Sequence, residues 1–411
     1  MKNKKWYKLD NVGKFYSSIA DKNAQGVFRF SASLKDDIDE ALLQQALDET
    51  IITFPNFNVN LKKGIFWYYL DETNKKYKVT KENMPICFKL YKSSNDFLYR
   101  VSYYKKRINF EACHIITDGR GSVEFFKHLV SNYIKLKYKI NTTILSNSFI
   151  EKEEDSFLKY YKKNKEKNKI KNFSKMYSYK GKKLKNKTRY LEAHLPLEKI
   201  LEITKNYNTT LSALIIGILI YSIKDTMSET DLKKYIKIDV PVDLRQYFKS
   251  SSSKNYFGLT SITYKFNSRN DTLDEIIKKV SEELKNNITK EKLSIRVNQM
   301  VAFEKNIFCR FTPIFIKNIV LKVINNFTSM MNTSCVSNLG IISFNKEIET
   351  YIENVNILTS TNGFQFSLCS FKNDLSIGIS SKYKYNEIIK NFCNYFSNQN
   401  IDMLINVSEV D

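Results

Sequence analysis

The chain has 411 residues, of which 42% are hydrophobic and 14% aromatic. This apolar content is enough for packed cores and excludes a disordered chain, while the length suits two domains of ordinary size. The formal net charge of +23 would suit nucleic-acid binding. However, much of the excess lies in one internal segment, and Lys, Asn, Ile and Tyr are abundant together, as in an AT-rich coding sequence. We therefore expect no nucleic-acid partner, because such a charge run is usually a solvated face.

We also expect neither a membrane span nor a secretion signal. The longest apolar run, residues 211–223, is too short to cross a bilayer and is interrupted by two serines and a glycine. The basic N-terminus is not followed by an apolar core or a cleavage site. These features predict a cytoplasmic protein with reduced cysteines. The six cysteines form no Cys-x-x-Cys pair, and with only three histidines no metal site is expected.

The first third of the chain mixes strands and helices. A strand is predicted at 27–32, followed by an amphipathic helix at 37–53 that ends at Phe54-Pro55. Ser33 or Asp36 is expected to cap this helix. Further strands are predicted at 64–70, 88–90, 98–104 and 107–114. The mixture indicates an α/β sandwich.

The last of these strands leads into the most informative stretch, which runs from His114 through Asp118 and Gly119 to Gly121. A helix with an apolar stripe is predicted from about residue 122 to 138. The two glycines flank the turn and are expected to allow positive φ there. Histidine titrates near neutrality and can accept a proton from an alcohol or amine, so His114 is the candidate general base. Cys113 faces the other way on an alternating strand and is not expected to be the nucleophile.

Residues 151–188 differ from the rest of the chain. They contain the lysine-rich runs 162–171 and 182–187 and few apolar side chains. This composition predicts a solvated linker between an N-terminal domain, residues 1–150, and a C-terminal domain, residues 189–411.

The second half again alternates strands and helices. A strand at 188–195 contains His194, which is expected to have no acidic partner nearby and is predicted to be structural. A helix at 197–207 and a buried helix from 211 follow, and a strand at 235–240 leads into Asp243-Leu244-Arg245. The remaining predicted elements are a strand at 261–266, helices at 273–288 and 290–303, a buried or interfacial helix at 308–327, strands ending near 340, 368 and 380, and a helix at 385–396.

The pattern His114-x-x-x-Asp118-Gly119 resembles the signature of the chloramphenicol-acetyltransferase-like acyltransferase superfamily, which includes alcohol acetyltransferases and peptide-synthetase condensation domains. The Phe-Pro end of the first helix, the Asp-Leu-Arg at Arg245 and the Ser-Asn-Leu-Gly at residues 337–340 follow in the order found in that superfamily. The resemblance implies an α/β fold: a two-domain chloramphenicol-acetyltransferase-like sandwich with an interdomain active-site tunnel.

The resemblance also implies roles for individual residues. His114 would be the general base of an acyltransferase that moves an acyl group, in the first place acetyl, from an acyl-CoA co-substrate to an alcohol or amine. Asp118 would form an ion pair with Arg245 and, with Gly119, support the loop that carries His114. Ser337 or Asn338 would stabilise the oxyanion or line the donor channel, unless they only form a polar turn that closes the strand. No permanently bound cofactor is implied.

Two alternatives remain at this point. A condensation-type enzyme would take its acyl group from a carrier protein, but condensation domains usually have a second histidine where Cys113 stands. The Asp-Phe-Gly-Trp-Gly motif of the plant-type members is also missing. Both departures favour a stand-alone alcohol-acetyltransferase type. The other alternative is a non-catalytic basic binding protein on the same fold, against which the complete set of His114, Asp118 and Arg245 argues. A monomer is expected, because one chain can build the tunnel.

Overall fold

The computed structural model describes residues 5–20, 26–145, 154–163, 176–185 and 187–408. The strands in these ranges are β1 (Trp6–Lys8), β2 (Val27–Leu34), β3 (Val59–Lys63), β4 (Tyr68–Glu72), β5 (Thr80–Lys81), β6 (Tyr99–Tyr104), β7 (Arg107–Cys113), β8 (Arg189–Pro196), β9 (Ile236–Asp243), β10 (Phe257–Tyr264), β11 (Ser334–Ile341), β12 (Ile352–Thr359), β13 (Phe364–Phe371), β14 (Asp374–Ser381) and β15 (Leu404–Val407).

The helices are α1 (Asn11–Ile19), α2 (Glu40–Thr53), α3 (Gly119–Tyr138), α4 (Ser156–Lys159), α5 (Leu197–Asn206), α6 (Leu211–Lys224), α7 (Glu229–Leu232), α8 (Leu273–Asn287), α9 (Lys290–Lys305), α10 (Ile307–Phe311), α11 (Ile314–Met330), α12 (Lys346–Glu349) and α13 (Glu387–Asn398). Short 3-10 helices lie at Pro55–Phe57 and Leu244–Gln246.

The N-terminal lobe is built on a five-stranded sheet in the order β12-β2-β7-β6-β5. Helices α2 and α3 pack against each other beside it. Its core is rich in phenylalanine: the rings of Phe110 and Phe125 stack at 4.6 Å, and those of Phe30 and Phe126 stack at 5.6 Å. These large side chains are fully buried, so the sheet that carries His114 rests on a closely packed layer.

The C-terminal lobe is built on a seven-stranded sheet in the order β10-β9-β11-β13-β14-β8-β15. Helix α6 is buried along nearly its whole length and packs against α8 and α13, which confirms the prediction of a buried helix from residue 211. No single helix in the described part of the chain is long and apolar enough to cross a membrane, and α5 with α6 meets that test only as a pair bent by 83°.

The C-terminal segment contributes one strand to the N-terminal sheet. β12 pairs antiparallel with β2, with Ile357 opposite Phe30. This pairing also brings the sheets together, because Gly378 in β14 lies directly against the main-chain carbonyl of Ile357 in β12. The predicted segments 1–150 and 189–411 are therefore tied together by main-chain hydrogen bonds as well as by side-chain packing.

Several local predictions were wrong. Helix α2 is capped by Asp39, whose carboxylate accepts from the main-chain N–H of Leu42, and not by Ser33 or Asp36. No strand is present at 88–90. The described part of the linker is anchored and not merely solvated, because Phe157 of α4 is fully buried against the ring of Tyr256. The lysine run at 164–171 lies outside the described residues.

The apolar stretch 308–327 also differs from its prediction. Pro313 separates it into α10 and α11, since proline cannot continue the helix before it. Only Ile314 and Lys317 of α11 are buried. Of the two environments predicted for this stretch, burial is therefore wrong, because most of its apolar side chains face solvent, and the interfacial environment stays a prediction.

Candidate active site

A cavity of about 1520 Å³ lies between the two lobes, as the predicted tunnel requires. The N-terminal lobe contributes Tyr16, Phe28 and His114 to its walls, while Pro241 and Phe257 belong to the C-terminal lobe. His114 is the first residue after β7, and its main-chain N–H donates to the Gly26 carbonyl at 3.1 Å. The end of a strand that is fixed on its layer of phenylalanines thus positions the histidine at the cavity wall.

The His114 ring is surrounded by aromatic side chains. Tyr16 stacks on it with ring centroids 4.9 Å apart and planes at 24°, while Phe28 and Phe257 lie at 4.9 and 5.4 Å. Burial among these rings lowers the pKa of His114 below its ordinary value, because the charged form loses hydration. The ring of His114 is therefore neutral near pH 7.

Asn255 determines which nitrogen of His114 carries the proton. The Asn255 Nδ2 group donates to both carboxylate oxygens of Asp10, at 3.2 and 3.1 Å, and to the His114 carbonyl at 2.9 Å. All of these partners are acceptors, so the amide orientation is fixed and Oδ1 is the atom 3.2 Å from His114 Nδ1. Nδ1 must then donate. The lone pair is left on Nε2.

Asp10 anchors this arrangement. Its carboxylate caps α1 by accepting from the Gly13 N–H at 2.7 Å and also accepts from the main-chain N–H of Asn255 at 3.1 Å. Burial raises the pKa of Asp10 to about 6, although the hydrogen bonds from Gly13 and Asn255 partly oppose that rise. At pH 7 the group is ionised and accepts the hydrogen bonds that orient Asn255.

The predicted ion pair between Asp118 and Arg245 is present. Arg245 Nη1 lies 2.8 Å from Asp118 Oδ2, and both side chains are less than a tenth exposed. Asp118 also caps α3 through the Gly121 N–H at 2.9 Å and accepts from the Tyr256 N–H at 2.7 Å. Both oxygens of the Asp118 carboxylate therefore accept hydrogen bonds from within the protein. The carboxylate binds the N-terminus of α3 to the C-terminal lobe.

Arg245 extends this network to the chain segment before Asn255. Its guanidinium donates to the carbonyl of Ser252 at 3.0 and 3.2 Å and to that of Lys254 at 2.6 Å. Burial alone lowers the pKa of Arg245, but Asp118 and Asp243 outweigh burial and raise it above the ordinary value. The cation is thus permanent, and it holds the segment from which Asn255 reaches His114.

The expected positive φ at Gly119 and Gly121 is wrong, because both residues lie in the first turn of α3 and neither has a positive φ. Their role is close packing. A Cβ at Gly119 would stand 2.7 Å from Leu339 Cδ2 of β11. A Cβ at Gly121 would overlap the Ser253 carbonyl oxygen and the Thr117 hydroxyl, which form a hydrogen bond of 2.8 Å. The two glycines let the C-terminal lobe approach the helix behind His114.

Ser337 and Asn338 both line the cavity, but their side chains differ in availability. Asn338 Nδ2 donates to Ser212 Oγ at 3.1 Å, and its Oδ1 accepts from the Gly340 N–H at 2.9 Å. Asn338 therefore closes the polar turn at the end of β11, as one of the two sequence alternatives predicted. Among the described residues, the Ser337 hydroxyl makes no such hydrogen bond.

No family model and no curated protein sequence matches the chain. Solved structures do match. F. sporotrichioides TRI101 complexed with coenzyme A and T-2 is similar over 97% of this chain and 99% of its own, with a TM-score of 0.67 and 10% identity. The first condensation domain of the CDA synthetase is similar over 96% of this chain and 95% of its own, with a TM-score of 0.62 and 10% identity. Polyketide synthase associated protein 5 from Mycobacterium tuberculosis is similar over 96% of this chain and 98% of its own, with a TM-score of 0.60 and 13% identity. The chain has the chloramphenicol-acetyltransferase-like fold.

The cavity of this chloramphenicol-acetyltransferase-like chain carries several cationic side chains. Arg120, Lys237 and Lys285 line it, and Lys237 is paired with Asp239 at 3.3 Å. Lys285 is exposed and Arg120 is half-buried. Lysine and arginine side chains can bind phosphate groups. The carboxylates of Asp118, Asp239 and Asp243 line the same cavity.

The other reactive side chains are used elsewhere. Burial raises the pKa of the Cys113 thiol to about 12, so this neighbour of His114 is not a nucleophile. His194 does have an acidic partner, contrary to the prediction: its Nδ1 lies 2.8 Å from Asp374 Oδ2, where β8 pairs with β14. Among the described residues, no group of three or more His, Cys, Asp or Glu side chains is placed to hold a metal ion.

Sequence reasoning missed Asn255 and Asp10. Neither residue lies in the motifs that predicted the site. An aspartate immediately before an amphipathic helix is a recognisable N-cap signal. However, nothing in the sequence connects Asp10 with a residue 245 positions away.

Proposed function

We propose that this protein is an acyltransferase in which His114 is the general base. The observation that carries the proposal is the fixed state of the His114 ring. The ring is neutral because of its burial, it donates from Nδ1 to Asn255, and it lies in the wall of a cavity built from both lobes. A base of this kind needs only a proton donor and an acyl group placed beside Nε2.

The chemistry follows from that arrangement. Nε2 takes the proton from the hydroxyl or amine of the acceptor, and the acceptor oxygen or nitrogen forms a bond to the thioester carbonyl carbon. The carbonyl oxygen becomes an oxyanion, for which the Ser337 hydroxyl is the available donor. When the carbon–sulfur bond breaks, the leaving thiolate takes the proton back from Nε2. The imidazolium present between these steps is stabilised by the hydrogen bond to Asn255.

Asp118, Gly119 and Arg245 are positioning residues in this proposal. Asp118 and Arg245 connect the first turn of α3 with the segment 252–255, and Gly119 allows β11 to approach that turn. These contacts set the distance between His114 on one lobe and Ser337 on the other. Both walls belong to one chain, so we propose that the monomer is active.

We propose an acyl-CoA donor, with acetyl-CoA as the first candidate. Structures with the same fold were determined with bound coenzyme A, and the cations of the cavity suit its phosphates. Condensation domains share the fold too, and the net charge of +23 would suit an acidic carrier protein. A carrier-bound donor is therefore the second candidate.

The test is acceptor-dependent thiol release from acetyl-CoA, with alcohols and amines as acceptors. We expect His114→Ala to lower kcat/KM by roughly 10²- to 10⁴-fold, the usual contribution of a general base. His194→Ala is the matched control, because it removes another half-buried histidine that lies outside the cavity lining, and it should retain wild-type turnover. Release that His114→Ala leaves unchanged would contradict the mechanism. Turnover only with an acylated carrier protein would select the second donor.

A further inference from the structure

Helices α10 and α11 present an unusual concentration of exposed apolar side chains. In the described part of the chain, twelve of the 29 large hydrophobic side chains that are exposed lie between residues 303 and 330. We call the exposed apolar side chains of α10 and α11 the α10–α11 surface. Seven of its members are 60 to 81% exposed, among them Phe308, Ile319, Val323, Phe327 and Met330. Apolar surfaces of this extent mark interaction sites.

The α10–α11 surface belongs to a helix that projects from the body. The N-terminal end of α11 is fixed, because Ile314 N–H donates to the Ile65 carbonyl at 3.0 Å and Lys317 Nζ donates to the Phe66 carbonyl at 2.8 Å. From residue 319 to 330, every side chain except two is exposed. The exposed apolar side chains of α11 cover about half of its circumference, while Asn318, Asn325 and Ser329 lie on the other side. Such a convex amphipathic helix does not offer a groove for a partner helix. It is suited to insertion into a soft apolar medium.

The charged side chains near the α10–α11 surface indicate what kind of partner it binds. Lys305, Arg310 and Lys322 are exposed on or beside α10 and α11. The sequence has no aspartate or glutamate from residue 305 to 346. A second copy of the chain meeting this face would place these cations against one another, which is unfavourable. An anionic surface would be attracted to them.

We propose that the α10–α11 surface docks on an anionic lipid membrane, with the apolar side chains in the interfacial region and the cations at the headgroups. This is the composition by which peripheral helices bind bilayers, through buried apolar area together with attraction to anionic lipid. The loop between β3 and β4 extends the surface, since Ile65 is 75% exposed and the ring of Phe66 lies 6.0 Å from that of Phe311.

Docking in this way has a consequence for the cavity. Ile324 and Thr328 of α11 line the cavity that contains His114. A membrane bound to the outer side of α11 therefore lies beside the entrance, and a ligand dissolved in the lipid needs little exposure to water to reach it. The docking itself rests only on the exposed side chains and charges. The proposal of membrane docking does not depend on the proposal of acyl transfer.

The experiment is co-sedimentation of the full-length chain with vesicles of phosphatidylcholine alone and of equimolar phosphatidylcholine and phosphatidylglycerol. The wild type should bind the anionic vesicles and bind the neutral ones more weakly. In the double variant I319D/F327D the partition coefficient should fall roughly tenfold or more, because apolar insertion supplies most of the affinity. The matched control is I52D/L201D, which adds the same charges at exposed apolar positions on α2 and α5 and should bind as the wild type.

The charge contribution is tested separately. R310E/K322E should lose several-fold in binding to anionic vesicles only, whereas K199E/K205E, with the same change of charge on α5, should not. Circular dichroism verifies that each variant is folded. Wild-type protein that stays in the supernatant with both vesicles would overturn the proposal, as would unchanged binding of I319D/F327D. It would also be overturned if light scattering showed a dimer that I319D/F327D abolishes, because a second copy would then cover the surface.

Discussion

At the scale of single residues, the state of His114 results from two opposing effects. Burial among Tyr16, Phe28 and Phe257 lowers its pKa, while the hydrogen bond to Asn255 raises it by favouring the protonated ring. Burial is the larger effect, so the ring is neutral at pH 7, yet the imidazolium formed during proton transfer still has an oriented acceptor at Nδ1. A base that must take up and then return a proton benefits from both.

Asn255→Ala should lower kcat by about 10- to 100-fold, because one hydrogen bond to a charged group contributes about 1.5–3 kcal/mol. Without the Asn255 acceptor, the pKa of His114 falls further. The acid limb of kcat/KM, along which activity is lost as His114 becomes protonated, should therefore move to lower pH. Steady-state kinetics over a range of pH measures both changes.

The control for this prediction is Asn56→Ala. Asn56 is also buried and donates to Ser253 Oγ in the same segment at 3.0 Å, but it does not contact His114. If a general loosening of the segment caused the effect, Asn56→Ala would move the acid limb as well. An unchanged acid limb in Asn255→Ala would contradict the role assigned to Asn255.

The roles of some site residues could be predicted from the sequence, whereas those of others could not. The ion pair of Asp118 and Arg245 was predictable, since a buried carboxylate needs a cation and the arginine follows a strand in the expected place. Asn255 and Asp10 were not, because their function depends on the folding of α1 against the segment 252–255, and that contact leaves no periodicity or spacing in the sequence.

At the scale of elements, the junction of β7 and α3 is fixed by contacts from the other lobe. Thr117 Oγ1 donates to the Ser253 carbonyl at 2.8 Å directly beside Gly121. The sequence predicted the strand, the turn and the helix, but it assigned the glycines to backbone freedom. Only the packing against Ser253 and Leu339 shows that they are needed for space.

Gly121→Ala should destabilise the protein by about 1–3 kcal/mol, the usual cost of forcing a methyl group into a closely packed site. The new Cβ would overlap the two atoms of the Thr117–Ser253 hydrogen bond. Urea denaturation followed by circular dichroism measures the change. Gly363→Ala is the control, because nothing lies within 4 Å of its added Cβ and its φ is not positive, so it should leave the free energy of unfolding nearly unchanged. Equal stability of the two variants would contradict the packing role.

Elements were predictable where burial and periodicity agree, and less so where they do not. α6 is apolar and buried, as its pattern indicated. α11 has a similar apolar pattern but is exposed, so of the two environments predicted for 308–327 the buried one is wrong. Hydrophobic periodicity shows that one face of a helix is apolar, but it does not show whether that face is buried within the same chain.

At the scale of the whole molecule, the pairing of β12 with β2 joins the two lobes, and both lobes line the cavity. The resemblance to a superfamily gave the two-domain fold and the tunnel, but the sequence alone did not indicate that residues 352–359 belong to the N-terminal sheet. The pairing of β12 with β2 joins segments that are far apart in the sequence, and local patterns do not encode such pairing.

The net charge of +23 should matter for the donor. We expect KM for acetyl-CoA to rise by roughly threefold or more when the ionic strength is raised from about 0.05 M to about 0.5 M, since screening weakens the attraction of the phosphates. The acetyl thioester of N-acetylcysteamine has no phosphates, and its kcat/KM should change little. An equal salt effect on both donors would contradict a contribution from Arg120, Lys237 and Lys285 to donor binding.

The most direct test of the central claim is ¹⁵N NMR of the histidine side chains, which is practical because the chain has only three histidines. Comparison with His114→Ala identifies the resonances of His114. At pH 7 we predict a neutral ring protonated at Nδ1 with the lone pair on Nε2, and a pKa below about 6.5, the ordinary histidine value. A ring that is protonated at Nε2, or one that is already cationic at pH 7, would contradict the assignment of His114 as the base.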